Sequence, residues 1–201
     1  MATPDNPIQH NAHWQAQRPE LINAYGELTA LIEANASSQD LLDAYLRMKR
    51  LSASVFQSLL LASIPDHGAA WVAVRQSVEQ RMQEKYAGLL PEWALKVPYG
   101  SAVHKQLFCI LIDRQGAPVP GDYLRIVTAD AVHAERRVRE LRELGLDVIA
   151  AKASGNDTYS LDSARVNLAV VPTIVVNTVR ANKKITEEER KRLQAIAEEG
   201  R

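Results

Sequence analysis

The chain has 201 residues, of which 46% are hydrophobic, enough for a packed core and consistent with one large domain or two small ones. Aromatic residues make up only 5% while alanine and leucine abound, so mostly helix with limited sheet is expected. Twenty-four basic residues balance twenty-four acidic ones, which excludes a global field that would draw the chain onto a polyanion; any nucleic-acid contact has to come from a local patch and is readily screened by salt.

The N-terminal run MATPDNPIQHN lacks a basic region followed by an apolar core, so it does not read as a signal peptide, and its prolines and asparagines predict a loose leader over residues 1–12. A helical domain is expected over residues 13–100. Its first helix is predicted from about Pro19 to Ala34, with Pro19 at the first helical position and Leu21, Tyr25, Leu28 and Ile32 on one stripe. In the second, Ser37 or Ser38 caps a run in which Leu41, Tyr45, Met48, Val55 and Leu59 mark one face, broadened by Leu42, Leu46, Phe56 and Leu60. The third starts after an Asp66 cap and carries Trp71, Val74, Val78, Met82 and Tyr86. Short links make these helices antiparallel neighbours, either closing a three-helix bundle within the chain or offering a surplus apolar face to a second copy as a homodimer. The cluster Arg47, Lys49 and Arg50 reads as a solvated face.

Leu90 to Gly100, LPEWALKVPYG, breaks the helical period, and Trp93, Leu95 and Tyr99 predict a packed joint. The next segment, residues 101–165, changes character. A helix of about a dozen residues carries Val103, Leu107, Ile110 and Leu111, and Pro118 to Pro120 is a short extended piece. A compact helix spans Gly121 to Ala129, and a third helix runs from about Ala131 to Leu144 with Gly145 as its left-handed stop. Asp147 to Ala153 and Thr158 to Leu161 read as two strands around the tight turn Ser154 to Asp157. In the extension, residues 166–201, Pro172 starts a segment through Val179 whose β-branched residues leave helix and strand both open. Thr186 and Glu189 form a capping box for a terminal helix with Leu193 and Ile196 on its apolar side, and the basic residues Arg180, Lys183, Lys184, Arg190, Lys191 and Arg192 flank that cap.

Little in the sequence points to catalysis. Cys109 is the single cysteine and lies in the apolar run LFCILI, so neither an intrachain disulfide nor a cysteine-based zinc site can form, and a cytoplasmic setting is expected. The apolar stretch from Val166 to Val179 is too short, and too often interrupted by Asn167, Pro172 and Asn177, to span a bilayer. Five histidines show no zinc-helix spacing, and there is no phosphate loop, nucleophile elbow or nuclease-like carboxylate group. No enzymatic activity, metal or cofactor is expected.

The order helix, short strand, helix, turn, helix and hairpin resembles the winged helix-turn-helix superfamily of DNA-binding domains. The run AERRVRELRELGLDV followed by the strand TYSL is similar to winged helices found beside nuclease domains in restriction and phage-defence proteins and in some bacterial regulators. The resemblance covers under a third of the chain. It implies a mainly α protein with an N-terminal helical bundle, a winged-helix domain with a small β-hairpin, and a C-terminal helix. It also implies a double-stranded DNA partner, with the protein acting in transcription regulation or as the DNA-reading component of a defence, restriction or mobile-element system. Placing Ala134, Val138, Leu141 and Gly145 inward turns Arg136, Arg139 and Glu143 outward, with His133 and Glu140 at one border. Arg136 and Arg139 then become the candidates for guanine edges, His133 for a phosphate or base edge, and Arg137 for a carboxylate on the packing seam. Lys152 and Asn156 on the wing are candidate contacts to phosphate or the minor groove, and Arg125 on the second helix is a candidate backbone contact. The alternative is a non-enzymatic assembly factor whose helical bundle and winged helix bind protein partners of a larger system.

Overall fold

A computed structural model of the chain describes residues 7–129 and 134–199. Among these residues the protein is mainly helical, with eight α-helices and one three-stranded antiparallel sheet. The chain divides into two compact units, one from Met1–Asp66 with Gly121–Ala134 and the other from His67–Pro120 with Glu135–Arg201. The expected 101–165 segment is therefore shared between the two units.

The first unit is a helical hairpin of α1 (Pro7–Glu33) and α2 (Ser38–Ala62), with α5 (Gly121–Val127) packed on α2. Helix α1 begins twelve residues before the expected Pro19 start, so that residues 7–12 of the expected leader are helix, while residues 1–6 lie outside the described residues. An interior proline removes one helical hydrogen bond and costs about 3 kcal/mol. The added turns make up ground by docking on α2, where His13 Nδ1 lies 2.7 Å from Ser58 Oγ and the Trp14 and Phe56 rings stand 6.1 Å apart. Ser37 caps α2 as expected, accepting a 3.2 Å hydrogen bond from the Asp40 amide. Two expectations fail here. The stripe of α1 splits, with Leu21 buried while Tyr25 and Ile32 stay exposed. The three-helix bundle does not form either, because the third helix has its apolar stripe built into the other unit. Arg47 pairs with Glu27 at 2.6 Å on the outside of the hairpin, as a solvated face should.

The second unit is centred on α3 (Gly68–Tyr86) and α4 (Ala102–Asp113). His67, not the expected Asp66, is the N-cap of α3 and gives no side-chain cap hydrogen bond. All five predicted residues of its stripe, Trp71, Val74, Val78, Met82 and Tyr86, are buried. Trp71 packs on Phe108 of α4 with ring centroids 5.3 Å apart. The joint is a packed 3-10 turn, Glu92–Leu95, with Ala94, Leu95 and Val97 buried. Strand β1 (Val119–Pro120), helix α6 (Ala134–Glu143) and strands β2 (Leu146–Ala153) and β3 (Asn156–Val166) follow. The sheet order is β1-β3-β2, all antiparallel. Strand β3 runs well past the expected Leu161, since Val166 pairs with Leu146 at the far end of the hairpin. The 166–180 ambiguity resolves as α7 (Val171–Ala181), with Pro172 in its first turn, where the missing amide costs nothing. Helix α8 (Glu187–Glu199) has the predicted Thr186 cap and docks through Leu193 and Ala197, and Tyr86 Oη donates a 2.9 Å hydrogen bond to the Ala197 carbonyl. No helix among the described residues is long and apolar enough to cross a membrane.

Candidate nucleic-acid interface

Helix α6 is amphipathic by its spacing. Ala134, Val138 and Leu141 are buried as expected, and Gly145 ends the helical turn at a φ of +100°. A side chain there would be strained whatever the space, and a Cβ would also lie 2.7 Å from the Asn167 carbonyl oxygen. Arg142 Nε donates to the Val148 carbonyl at 2.7 Å, fastening the end of α6 to the start of β2, and the Asn167 amide, just past the end of β3, donates to the Gly145 carbonyl at 2.9 Å.

Glu140 departs from the expected border position. It is only 7% exposed, and its carboxylate gathers three partners. His104 Nε2 stands 2.7 Å from Oε2, Arg137 Nη1 2.8 Å from the same oxygen, and Arg136 Nε 3.2 Å from Oε1. Ser101 Oγ lies 2.7 Å from His104 Nδ1. An ionised carboxylate only accepts, so Nε2 carries a proton; burial disfavours a second proton on the ring, and in the neutral imidazole Nδ1 accepts from the Ser101 hydroxyl. Burial holds His104 below the usual imidazole range, helped by the Arg137 and Arg75 cations and opposed by Glu140. Burial alone would raise Glu140, but the hydrogen bonds from Arg137 and His104 outweigh it and keep the carboxyl below its usual range. Tyr99 packs its ring 5.9 Å from the His104 ring and donates its hydroxyl to Glu143. Burial and that carboxylate push the phenol well above its ordinary value.

The predicted residues therefore fall into distinct situations. Arg137 pairs with a carboxylate on the packing seam, as its position implied. Arg136 is outward, with its side chain 67% exposed, yet it is tied to Glu140. Arg139 is exposed and forms no hydrogen bond or ion pair with the described residues. With Arg136, Glu143, Pro98 and Tyr99 it lines a cleft of about 290 Å³ whose other wall is Asn177, Thr178 and Ala181 of α7. Lys152 and Asn156 sit at the exposed tip of the β2–β3 hairpin, which turns through Ser154 and Gly155 at φ of +51° and +83°. Positive φ at both central residues is what a two-residue type I′ turn requires. From Ile149 to Asp157 no hairpin residue is buried. Arg125 lies in the first unit, exposed and 3.6 Å from Asp122. His133 lies outside the described residues.

Sequence reasoning missed the grouping of His104 with Glu140, because the two are 36 positions apart and nothing local marks either as a partner. Among the described residues no three His, Cys, Asp or Glu side chains are grouped as metal ligands. Comparison of the chain with protein-family models, with curated proteins and with solved structures finds no match.

Proposed function

We propose that α6 and the β2–β3 hairpin, the recognition helix and wing of the expected winged helix over residues 101–165, bind duplex DNA, and that the protein works as a transcription regulator or as the DNA-reading part of a defence, restriction or mobile-element system. The observation that carries this reading is the β2–β3 hairpin, whose outer half buries no side chain from Ile149 to Asp157. An outer hairpin half that adds nothing to the core is free for an external use, and here the hairpin directly follows a basic helix in the chain, the order of elements in winged-helix DNA binders. Arg139 supports the same reading. Arg136, Arg137 and Arg142 already serve Glu140 or the Val148 carbonyl, whereas Arg139 remains available to a phosphate or a guanine edge. In this reading Lys152 and Asn156 at the wing tip meet the sugar-phosphate backbone, and Glu140 positions the two arginines beside Arg139. The balanced charge of the whole chain makes the binding local and salt-sensitive.

The test is a fluorescence-anisotropy titration of the full chain with mixed-sequence duplex DNA at low and moderate salt. Binding that weakens steeply with salt is expected. Absence of binding at low salt would overturn the reading and leave recognition of a protein partner by these same elements.

A further inference from the structure

Each helix of the α1/α2 hairpin carries two parallel stripes, one residue apart. On α1 the inner stripe is Gln17, Leu21, Ala24, Leu28 and Leu31, buried or half-buried, and on α2 it is Ala44, Met48, Leu51, Val55 and Ser58. Both follow the four-three spacing of helices that pack nearly antiparallel. The outer stripe repeats the same spacing one position later: Arg18, Ile22, Tyr25, Thr29 and Ile32 on α1, and Leu42, Tyr45, Lys49, Ser52, Phe56 and Leu59 on α2. These two outer stripes lie on one side of the hairpin, since Ser52 Oγ donates to Tyr25 Oη at 3.2 Å. Helix α5 takes another side of α2, where Gln57 Nε2 donates to the Val127 carbonyl at 2.8 Å. A helix with two such seams is built for a helical neighbour along each, as in a four-helix bundle, and among the described residues the outer pair of stripes stays largely exposed.

We infer that the outer stripes of two copies pack together, making a homodimer whose core is an antiparallel four-helix bundle. The apolar area fits a second copy. Ile22, Tyr25, Ile32, Leu42, Tyr45, Phe56 and Leu59 are between 39% and 61% exposed. At roughly 150–250 Å² per large side chain, they offer about 600 Å², and the stems of Arg18 and Lys49 bring this near the roughly 800 Å² that each partner gives to a standard interface. The charge pattern is self-complementary as well. Arg18 and Glu33, both exposed and without an ion pair among the described residues, lie about 22 Å apart along α1. Their midpoint falls at Tyr25 and Gly26. A two-fold axis there sets Arg18 of each copy against Glu33 of the other, the isologous geometry of a closed dimer. Gly26 completes the pattern. It is a weak helix former in mid-helix, and a Cβ there would meet nothing within 4 Å, so the hairpin itself does not require it. It leaves room for a second helix to approach at the axis.

Sedimentation equilibrium of the full chain between about 1 and 100 µM tests this. The expected result is twice the 22.3 kDa chain mass, with Tyr45→Glu weakening the dimer at least tenfold while the circular-dichroism spectrum is kept. Glu33→Lys is expected to weaken it several-fold, and Arg18→Glu added to Glu33→Lys to restore it. Tyr25→Cys should cross-link to its counterpart under oxidation, whereas Asp43→Cys should not. A chain mass at 100 µM overturns the inference. So does a dimer indifferent to Tyr45→Glu, which would place the contact elsewhere. A monomer whose thermal midpoint falls with Tyr45→Glu would show that the chain itself covers the stripe.

Discussion

Glu140 receives a 2.7 Å hydrogen bond from His104 although it follows the fully outward Arg139 by a single residue, so one turn of α6 carries both a buried anion and an available cation. The buried anion is stabilised only while its partners are in place. Glu140→Ala leaves the His104 Nε2–H without an acceptor inside the unit, which costs about 2 kcal/mol, while the half-exposed Arg137 is rehydrated and adds little. Glu140→Gln keeps an acceptor oxygen and should lose less. Urea unfolding at pH 7 measures both, and an alanine variant as stable as the parent would show that the network contributes nothing to folding.

The same pair makes stability acid-sensitive. In the unfolded chain His104 takes a proton near 6.5, whereas in the folded chain burial holds it below that. The unfolded state thus binds more protons, and the stability present above pH 6.5 declines as the pH falls toward the folded value. Protonation of Glu140, whose folded value also lies below its usual one, brings a second loss below about 4.5. The urea midpoint should drop between pH 7.5 and 5.5. His104→Gln, which can still donate to Glu140, should flatten that drop; an unchanged slope would assign the proton to another group.

Gly145 and Gly155 both have positive φ but stand in different surroundings. A Cβ at Gly145 would meet the Asn167 carbonyl oxygen at 2.7 Å and Val166 Cγ1 at 2.9 Å, whereas one at Gly155 would meet nothing within 4 Å. Gly145→Ala should therefore cost about 3 kcal/mol, combining left-handed strain with a backbone clash, and Gly155→Ala only about 1 kcal/mol. Thermal melts of the two variants rank them, and equal losses would mean that the Asn167 backbone yields.

The local signals were legible because they depend on neighbours in sequence. Gly145 as a stop, Ser37 and Thr186 as caps, and the Trp71 to Tyr86 stripe all appear where spacing placed them. Spacing could not say which element each stripe faces. Tyr25 and Ile32 shared a period with Leu21 and Leu28 but belong to the outer seam, and the α3 stripe packs against Phe108 instead of a three-helix bundle. Pro19 looked like a helix start because its penalty is local, whereas the docking of Trp14 on Phe56 that offsets it is long-range. For the candidate site, the outward arginines were read from the wheel, but Glu140 was misplaced because its partner His104 lies on another helix.

Arg136 and Arg139 offer the sharpest comparison for DNA binding. Arg136 is tied to Glu140 at 3.2 Å and must give up that pair to reach DNA, whereas Arg139 gives up nothing. Arg139→Ala should weaken binding about tenfold, and Arg136→Ala by less, with thermal stability nearly unchanged for Arg139→Ala. The salt dependence tells what Arg139 touches. Loss of a phosphate contact lowers the slope of log affinity against log salt by about 0.9, whereas loss of a base contact leaves the slope alone and relaxes sequence preference. Lys85→Ala, on α3, is the control. If it weakens binding as much as Arg139→Ala, the effect is one of net charge, and α6 loses its claim to the interface.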